Sequence, residues 1–227
     1  EQLLLRMRSD PLPEARHYAA LMLTELRKVI PSFVKRVDLP DRGQVSSDYL
    51  EANRLAMEER AAELLGAADV YDDEERVDLV DFDPDAEVKM VASMLYSYSN
   101  LSERALEERV RQMSVDDRIS VVRAYTGDRQ NRRHRPGRAL ERPFYRFDIL
   151  ADYGAFRDLQ RHRMLTVEWQ KLNPYHGYTR SQLIDDAGVA DEFDEAMDRA
   201  AELHEALRDG GFPDQASYAV SLAYRVR

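Results

Sequence analysis

Arg161, His162 and Arg163 stand in a row within "FRDLQRHRMLTVEWQKLN", residues 156–173, and lead straight into an apolar and aromatic segment. Arginine forks donate paired hydrogen bonds to phosphate oxygens, and their planes stack on flat rings. Consecutive helical residues point about 100° apart, so the three can surround one small ligand only where a helix ends. The plainer alternative is a helix C-terminus carrying cations against its own dipole. A second basic stretch, "RQNRRHRPGR" at 129–138, is followed closely by Arg142 and Arg146. In a chain of net charge -10 such a cluster points to a local anionic ligand rather than to general affinity for nucleic acid. Its alternative is a solvated loop.

Other chemistries find no support. The chain has no cysteine, which excludes disulfides, thiol nucleophiles and thiolate metal sites and suits a cytoplasmic address. There is no glycine-rich phosphate loop and no pair of histidines at metal-ligand spacing. His17, His134, His176 and His204 are scattered, and His204 is expected at a helix surface. The paired acids Asp116 and Asp117, and Asp185 and Asp186, read as turn and cap residues. Trp169 and the tyrosines read as core more readily than as a stacking platform. No run approaches the roughly 18 apolar residues that span a bilayer, so no membrane is expected.

The elements that must position these residues are mostly helices. With 227 residues, 33% of them charged, and a mean hydropathy of -0.61, the chain can bury a sizeable core in one large domain or two small ones. Apolar spacing predicts helices over 14–30, stopped by Pro31, and over 47–65, with Ser47 or Asp48 as N-cap and Gly66 past the end. Residues 37–47 have the Pro, Asp, Gly and Ser content of a loop. Residues 75–83 alternate toward a strand, and helices follow over 85–99, 100–113 and 114–127. Asn100 with Glu103, and Ser114 with Asp117, have the spacing of capping boxes. Residues 143–152 read as a strand, 153–163 as a helix, 164–172 as an extended segment, and 191–209 as a helix stopped by Gly210 and Gly211. The fold class is α/β in the α+β sense, helix-rich with a small mixed or antiparallel sheet. Both termini interrupt an apolar pattern, which predicts a piece of a longer protein.

The block from Glu141 to Asn173 resembles the flavin-dependent thymidylate synthases. That family has a Glu-His pair, an aromatic-rich strand, Arg-His-Arg, and then a segment of the type Ser-x-Asn-Glu-x-Ser-x-Arg-Tyr. Here Glu141 opens "ERPFYRF" and precedes Arg161 by twenty residues, as in the family. "LLRMRSDPLPEARHYAALMLTELRKVIP", near the N-terminus, resembles the family's closing helices. The order implies tandem copies or a circular permutation. Residues 1–37 would close a first copy, 38–74 would join the copies, and 75–227 would open a second.

The resemblance implies methylene transfer from methylenetetrahydrofolate to dUMP, with FAD as cofactor and NADPH as reductant, at sites shared within a homotetramer. It makes Arg161, His162 and Arg163 candidate FAD contacts and Arg8 a weaker candidate for the nucleotide. The departures lie mainly on the nucleotide side. Thr166, Glu168 and Trp169 occupy the family's serine, asparagine and glutamate positions. Lys171 takes the second serine, Asn173 and Pro174 the arginine and tyrosine, and Arg142 the histidine of the Glu-His pair. Asp158 replaces a glutamine, Ser217 a phosphate-binding arginine, and Ser221 a proline. Two readings follow: a divergent FAD-dependent thymidylate synthase that works as a homo-oligomer, or a catalytically inactive homologue kept for structure or flavin binding. A third is a flavoenzyme for another anionic substrate, using the 129–146 arginines.

Overall fold

The structure, a computed structural model, describes residues 1–66 and 77–227. The chain forms two compact units, Glu1–Glu74 with Ala151–Arg227, and Glu75–Leu150. It is helix-rich, with small antiparallel pairings, as the sequence predicts.

The first unit begins with α1 (Gln2–Arg8), α2 (Pro13–Val29) and α3 (Pro31–Val34). Proline starts α2, Glu14 lies in its first turn and Arg27 and Lys28 in its last, so charge complements the helix dipole at both ends. Leu4 and Leu5 of α1, Ala19 and Leu23 of α2, and Val34 and Val37 form one buried cluster. The segment expected to be a loop is tighter than its composition suggests. Pro40–Gln44 makes a π-helical turn that runs directly into α4 (Val45–Leu65). Gln44 therefore precedes the helix, with no side-chain cap, and Ser47 is buried one turn inside it, donating from Oγ to Leu5 O at 3.3 Å. Gly66 ends α4 with φ of 73°, in the left-handed region that glycine adopts freely. The rest of the expected 38–74 joining segment, and the first two residues of the expected 75–83 strand, lie outside the described residues.

In the second unit β1 (Val77–Phe82) pairs antiparallel with β2 (Tyr145–Ile149). Val77 faces Ile149 and Leu79 faces Phe147; one extra residue then intervenes, so that Asp81 faces Arg146 and Phe82 faces Tyr145. The bulge keeps Phe82 on the same face as Val77 and Leu79, which strict alternation would not do. Three helices sit between the strands, α5 (Ala86–Tyr96), α6 (Glu103–Gln112) and α7 (Val115–Thr126). Val88, Val91, Ala92, Leu106 and Val110 form their core. The cap of α6 is Ser102, whose hydroxyl accepts from Ala105 N at 3.4 Å, and not Asn100. Ser114 caps α7 as expected, accepting from Asp117 N at 3.1 Å while its own Oγ donates to Asp117 Oδ2 at 2.7 Å.

The first unit resumes at β3 (Ala151–Asp152), which pairs antiparallel with β4 (Arg225–Val226). Thr179 N donates to Ala223 O at 2.8 Å and Arg225 N to Gly177 O at 2.9 Å, so the chain's last strand lies between 151–154 and 177–179. Three helices complete the unit, α8 (Tyr153–Leu159), α9 (Gln182–Asp186) and α10 (Ala190–Asp209). Met197 of α10 packs with Val220 and Tyr224, whose hydroxyl donates to Met197 O.

Candidate functional site

The sequence admits a ligand at Arg161–Arg163 only if the helix stops before them, and it does. α8 is capped by Asp152, whose side chain accepts from Ala155 N at 2.8 Å, and ends at Leu159. Gln160 N still donates to Phe156 O at 2.8 Å, but His162 N donates to Leu159 O and Leu165 N to His162 O, both at 3.0 Å. These are three-residue closures, so Arg161, His162 and Arg163 sit on a turn past the helix rather than on its last helical face. All three are exposed. Arg161 approaches Asp158 at 3.4 Å, a pair whose side chains are both largely open to solvent and which therefore constrains Arg161 weakly. Among the described residues His162 and Arg163 have no ion pair, and their donors are available to an anion.

The extended segment expected over 164–172 is shorter: Met164 and Leu165 belong to the turn, and 166–172 form neither helix nor strand and pair with no strand among the described residues. Leu172 packs against the cluster of Met197, Val220 and Tyr224, and further contacts hold the segment. Trp169 packs on Phe156 of α8 with ring centroids 5.5 Å apart, Gln170 N donates to Arg227 O at 3.0 Å, and Lys171 Nζ lies 2.7 Å from Glu58 Oε1 on α4. Glu58 also meets Arg54 at 3.1 Å. Burial pushes the Glu58 carboxyl up, but Lys171 and Arg54 together bring it below the usual carboxylate range. Met164 and Leu165 remain exposed beside the cationic turn. Trp169 is half exposed rather than core.

Arg8 closes α1, and Nη1 donates to Val37 O at 2.8 Å while Nη2 donates to Gln44 Oε1 at 2.5 Å. The backbone there is tight: a Cβ on Gly43 would fall 2.0 Å from Val37 O. Arg8 is thus committed to joining the turn after α3 to the start of α4. Among the described residues no hydrogen bond or ion pair links Arg8 to Arg161, His162 or Arg163. At Ser217 and Asn173 the side chains serve the fold. Ser217 Oγ donates to Asp214 O at 2.8 Å, and Asn173 Oδ1 accepts from Tyr175 N at 3.0 Å.

Sequence reasoning misplaced one titratable group. His204 is 5% exposed, with Tyr175 edge-on to its ring at 5.5 Å and Glu205 Oε1 3.2 Å from Nδ1. The signal was present: Phe193, Met197, Ala200 and Ala201 form the inward stripe of α10, and His204 continues it at helical spacing. Asp194 of α10 accepts from Tyr178 Oη of the neighbouring loop at 2.8 Å and pairs with Arg180 at 2.5 Å, which holds its carboxyl below the usual range. Among the described residues no group of three or more His, Asp or Glu side chains is placed to hold a metal ion, and no helix is long and apolar enough to cross a membrane.

Comparison with known proteins agrees with the motif. The thymidylate synthase complementing protein family matches residues 78–227. A UPF0159 protein of Chlamydia pneumoniae is 37% identical over 230 residues, covering 100% of this chain and 43% of the relative. One from Chlamydia muridarum is 36% identical over 231 residues with the same coverage, and one from Thermoplasma acidophilum is 29% identical over 154 residues, 66% of this chain and 31% of its own. The chain thus spans well under half the length of these relatives. No solved structure gives a significant match. A family match that includes the Arg161–Arg163 motif places the chain in the thymidylate synthase complementing protein family, the flavin-dependent thymidylate synthases.

Proposed function

We propose that the chain is part of a divergent FAD-dependent thymidylate synthase homologue that holds FAD through Arg161, His162 and Arg163. The observation that carries this reading is the exposed turn past α8, where two guanidinium groups and an imidazole precede the exposed side chains of Met164 and Leu165. That donor set fits the cofactor: guanidinium forks suit diphosphate oxygens, and the apolar side chains suit a flat ring. In the family, bound flavin supplies the hydride for converting dUMP to dTMP, with methylenetetrahydrofolate as carbon donor and NADPH as reductant.

The residues of this chain would bind and orient the cofactor, and the nucleotide groups it lacks would come from another copy or subunit. A homo-oligomer and a cytoplasmic address belong to the same proposal. So does the division into residues 1–37, 38–74 and 75–227 as the tail of one copy, a join, and the front of another. Relatives more than twice this length have room for two copies.

A second reading, a catalytically inactive homologue kept for structure or flavin binding, is favoured by particular contacts. Lys171, standing in place of a family serine, is engaged by Glu58, and Ser217, in place of an arginine, bonds its own turn. One experiment separates the two. The purified protein is examined for a visible flavin spectrum, supplied with FAD, then NADPH, and assayed for dTMP formation from dUMP and methylenetetrahydrofolate. Flavin uptake, bleaching by NADPH and product formation support the enzyme. Flavin uptake without product supports the second reading, and no uptake sinks the assignment of Arg161–Arg163.

A further inference from the structure

We propose that Glu58 of α4 is a positioning residue for the Arg161–Arg163 turn and acts on it through Lys171. The proposal rests on the reading of that turn as the FAD contact. A turn leaving a helix keeps one shape only if the chain on both sides of it is held. α8 fixes the near side, and residues 166–172 form the far side. The far side belongs to no strand, so single backbone bonds and side chains must order it. Gln170 N donates to Arg227 O, Trp169 packs on Phe156, and Leu172 packs with Met197, Val220 and Tyr224. All of these partners lie within residues 78–227, which the family match covers. Lys171 differs. Its Nζ reaches Glu58 Oε1 at 2.7 Å on α4, a helix outside that match.

Glu58 is itself held in the orientation this contact needs. One carboxylate oxygen meets Lys171 and the other meets Arg54 Nη1 at 3.1 Å, one helical turn earlier. A carboxylate engaged at both oxygens has little freedom to rotate. α4 is anchored near its start, where Ser47 Oγ donates to Leu5 O and Arg8 reaches Gln44. From Ser47 to Glu58 the helix runs roughly three turns, or about 16 Å, as a stiff arm. The anchorage at α1 is thereby carried out to the segment behind the cationic turn. Both ends of the arm belong to the first unit. An ion pair with so exposed a lysine is weak, so it sets how often the segment is ordered rather than whether it can be. Cofactor affinity can fall only by the factor the pair contributes to that order, about two- to fivefold.

The chain's single tryptophan reports on the segment directly, because Trp169 stands two residues before Lys171. Its fluorescence anisotropy and its quenching by acrylamide are measured on the full chain without FAD. FAD is then titrated and followed by flavin fluorescence. Lys171→Met and Glu58→Gln should each lower the anisotropy, raise the quenching and weaken FAD about two- to fivefold. The double variant should do no more than either alone, since both changes remove one contact. Lys171→Arg keeps the charge and should behave as the native chain in both measurements, which a merely structural loss at this position would not predict. Unchanged Trp169 signals in both single variants, or additive losses in the double variant, would overturn the positioning role. So would unchanged FAD affinity beside altered Trp169 signals. In that case Arg161→Ala with Arg163→Ala would still weaken FAD, leaving the cofactor reading intact. No FAD uptake by the native chain would overturn that reading and the positioning role with it.

Discussion

Lys171 Nζ lies 2.7 Å from Glu58 Oε1, which ties the segment after the Arg-His-Arg turn to α4. Lys171 is 75% exposed and Glu58 34%, and the same carboxylate receives Arg54, whose Nε is buried with no hydrogen-bond partner among the described residues. The two partners are therefore not equivalent. Lys171→Ala removes an exposed pair and should cost under about 1 kcal/mol in urea unfolding. Glu58→Ala also strands a part-buried guanidinium and should cost about 1–3 kcal/mol. Equal losses would mean that Arg54 gains nothing from Glu58.

FAD affinity should follow the cationic turn. Arg161→Ala with Arg163→Ala is expected to weaken FAD at least about tenfold, through the loss of charge-assisted bonds to the diphosphate. Arg132→Ala or Arg133→Ala should weaken it less. Flavin fluorescence during titration measures both, and equal effects would remove the turn from the cofactor site.

The nucleotide should fare worse than the flavin. An arginine paired with a dianionic phosphate contributes on the order of 1.5–3 kcal/mol, and on the proposed correspondence Ser217 replaces one. Calorimetry of this chain with dUMP alone should show no micromolar binding. Micromolar affinity would show that Trp169 and Lys171 leave the pocket open.

The cap of α6 gives a direct test of local structure. Ser102→Ala should cost about 0.5–2 kcal/mol, because Ala105 N loses its acceptor, whereas Asn100→Ala should stay within about 0.5 kcal/mol. Thermal melts of the two variants decide which residue starts the helix.

Acid stability should depend on Asp194. Tyr178 and Arg180 depress its carboxyl below the usual range, so its contribution is present above the unfolded value near about 3.9 and is lost as pH falls through the lower folded value. Asp194→Asn should therefore flatten the stability profile below about pH 4 while leaving its slope near neutrality unchanged. An unaltered acid limb would show that the pair does not form in solution.

Much of the chain was legible because it depends on neighbours in sequence. Helical spacing gave α2, α5 and α10, alternation gave β1 and β2, and Ser114 with Asp117 marked the start of α7. The Arg161–Arg163 motif identified the family, since those residue types and their distance from Glu141 are linear facts. What only the tertiary structure decided depends on groups far apart in the chain. Arg8 meets Val37 and Gln44, Lys171 meets Glu58, and Ser47 meets Leu5, contacts that no local period encodes. Even the end of α8 belongs here. Its sequence continues without a glycine or proline to stop it, but Gln170, Trp169 and Lys171 are held by Arg227, Phe156 and Glu58, and the chain must leave the helix at Leu159 to reach them. The sequence set which residues could hold an anion; the packing of the segment behind them turned three divergent side chains into one exposed turn.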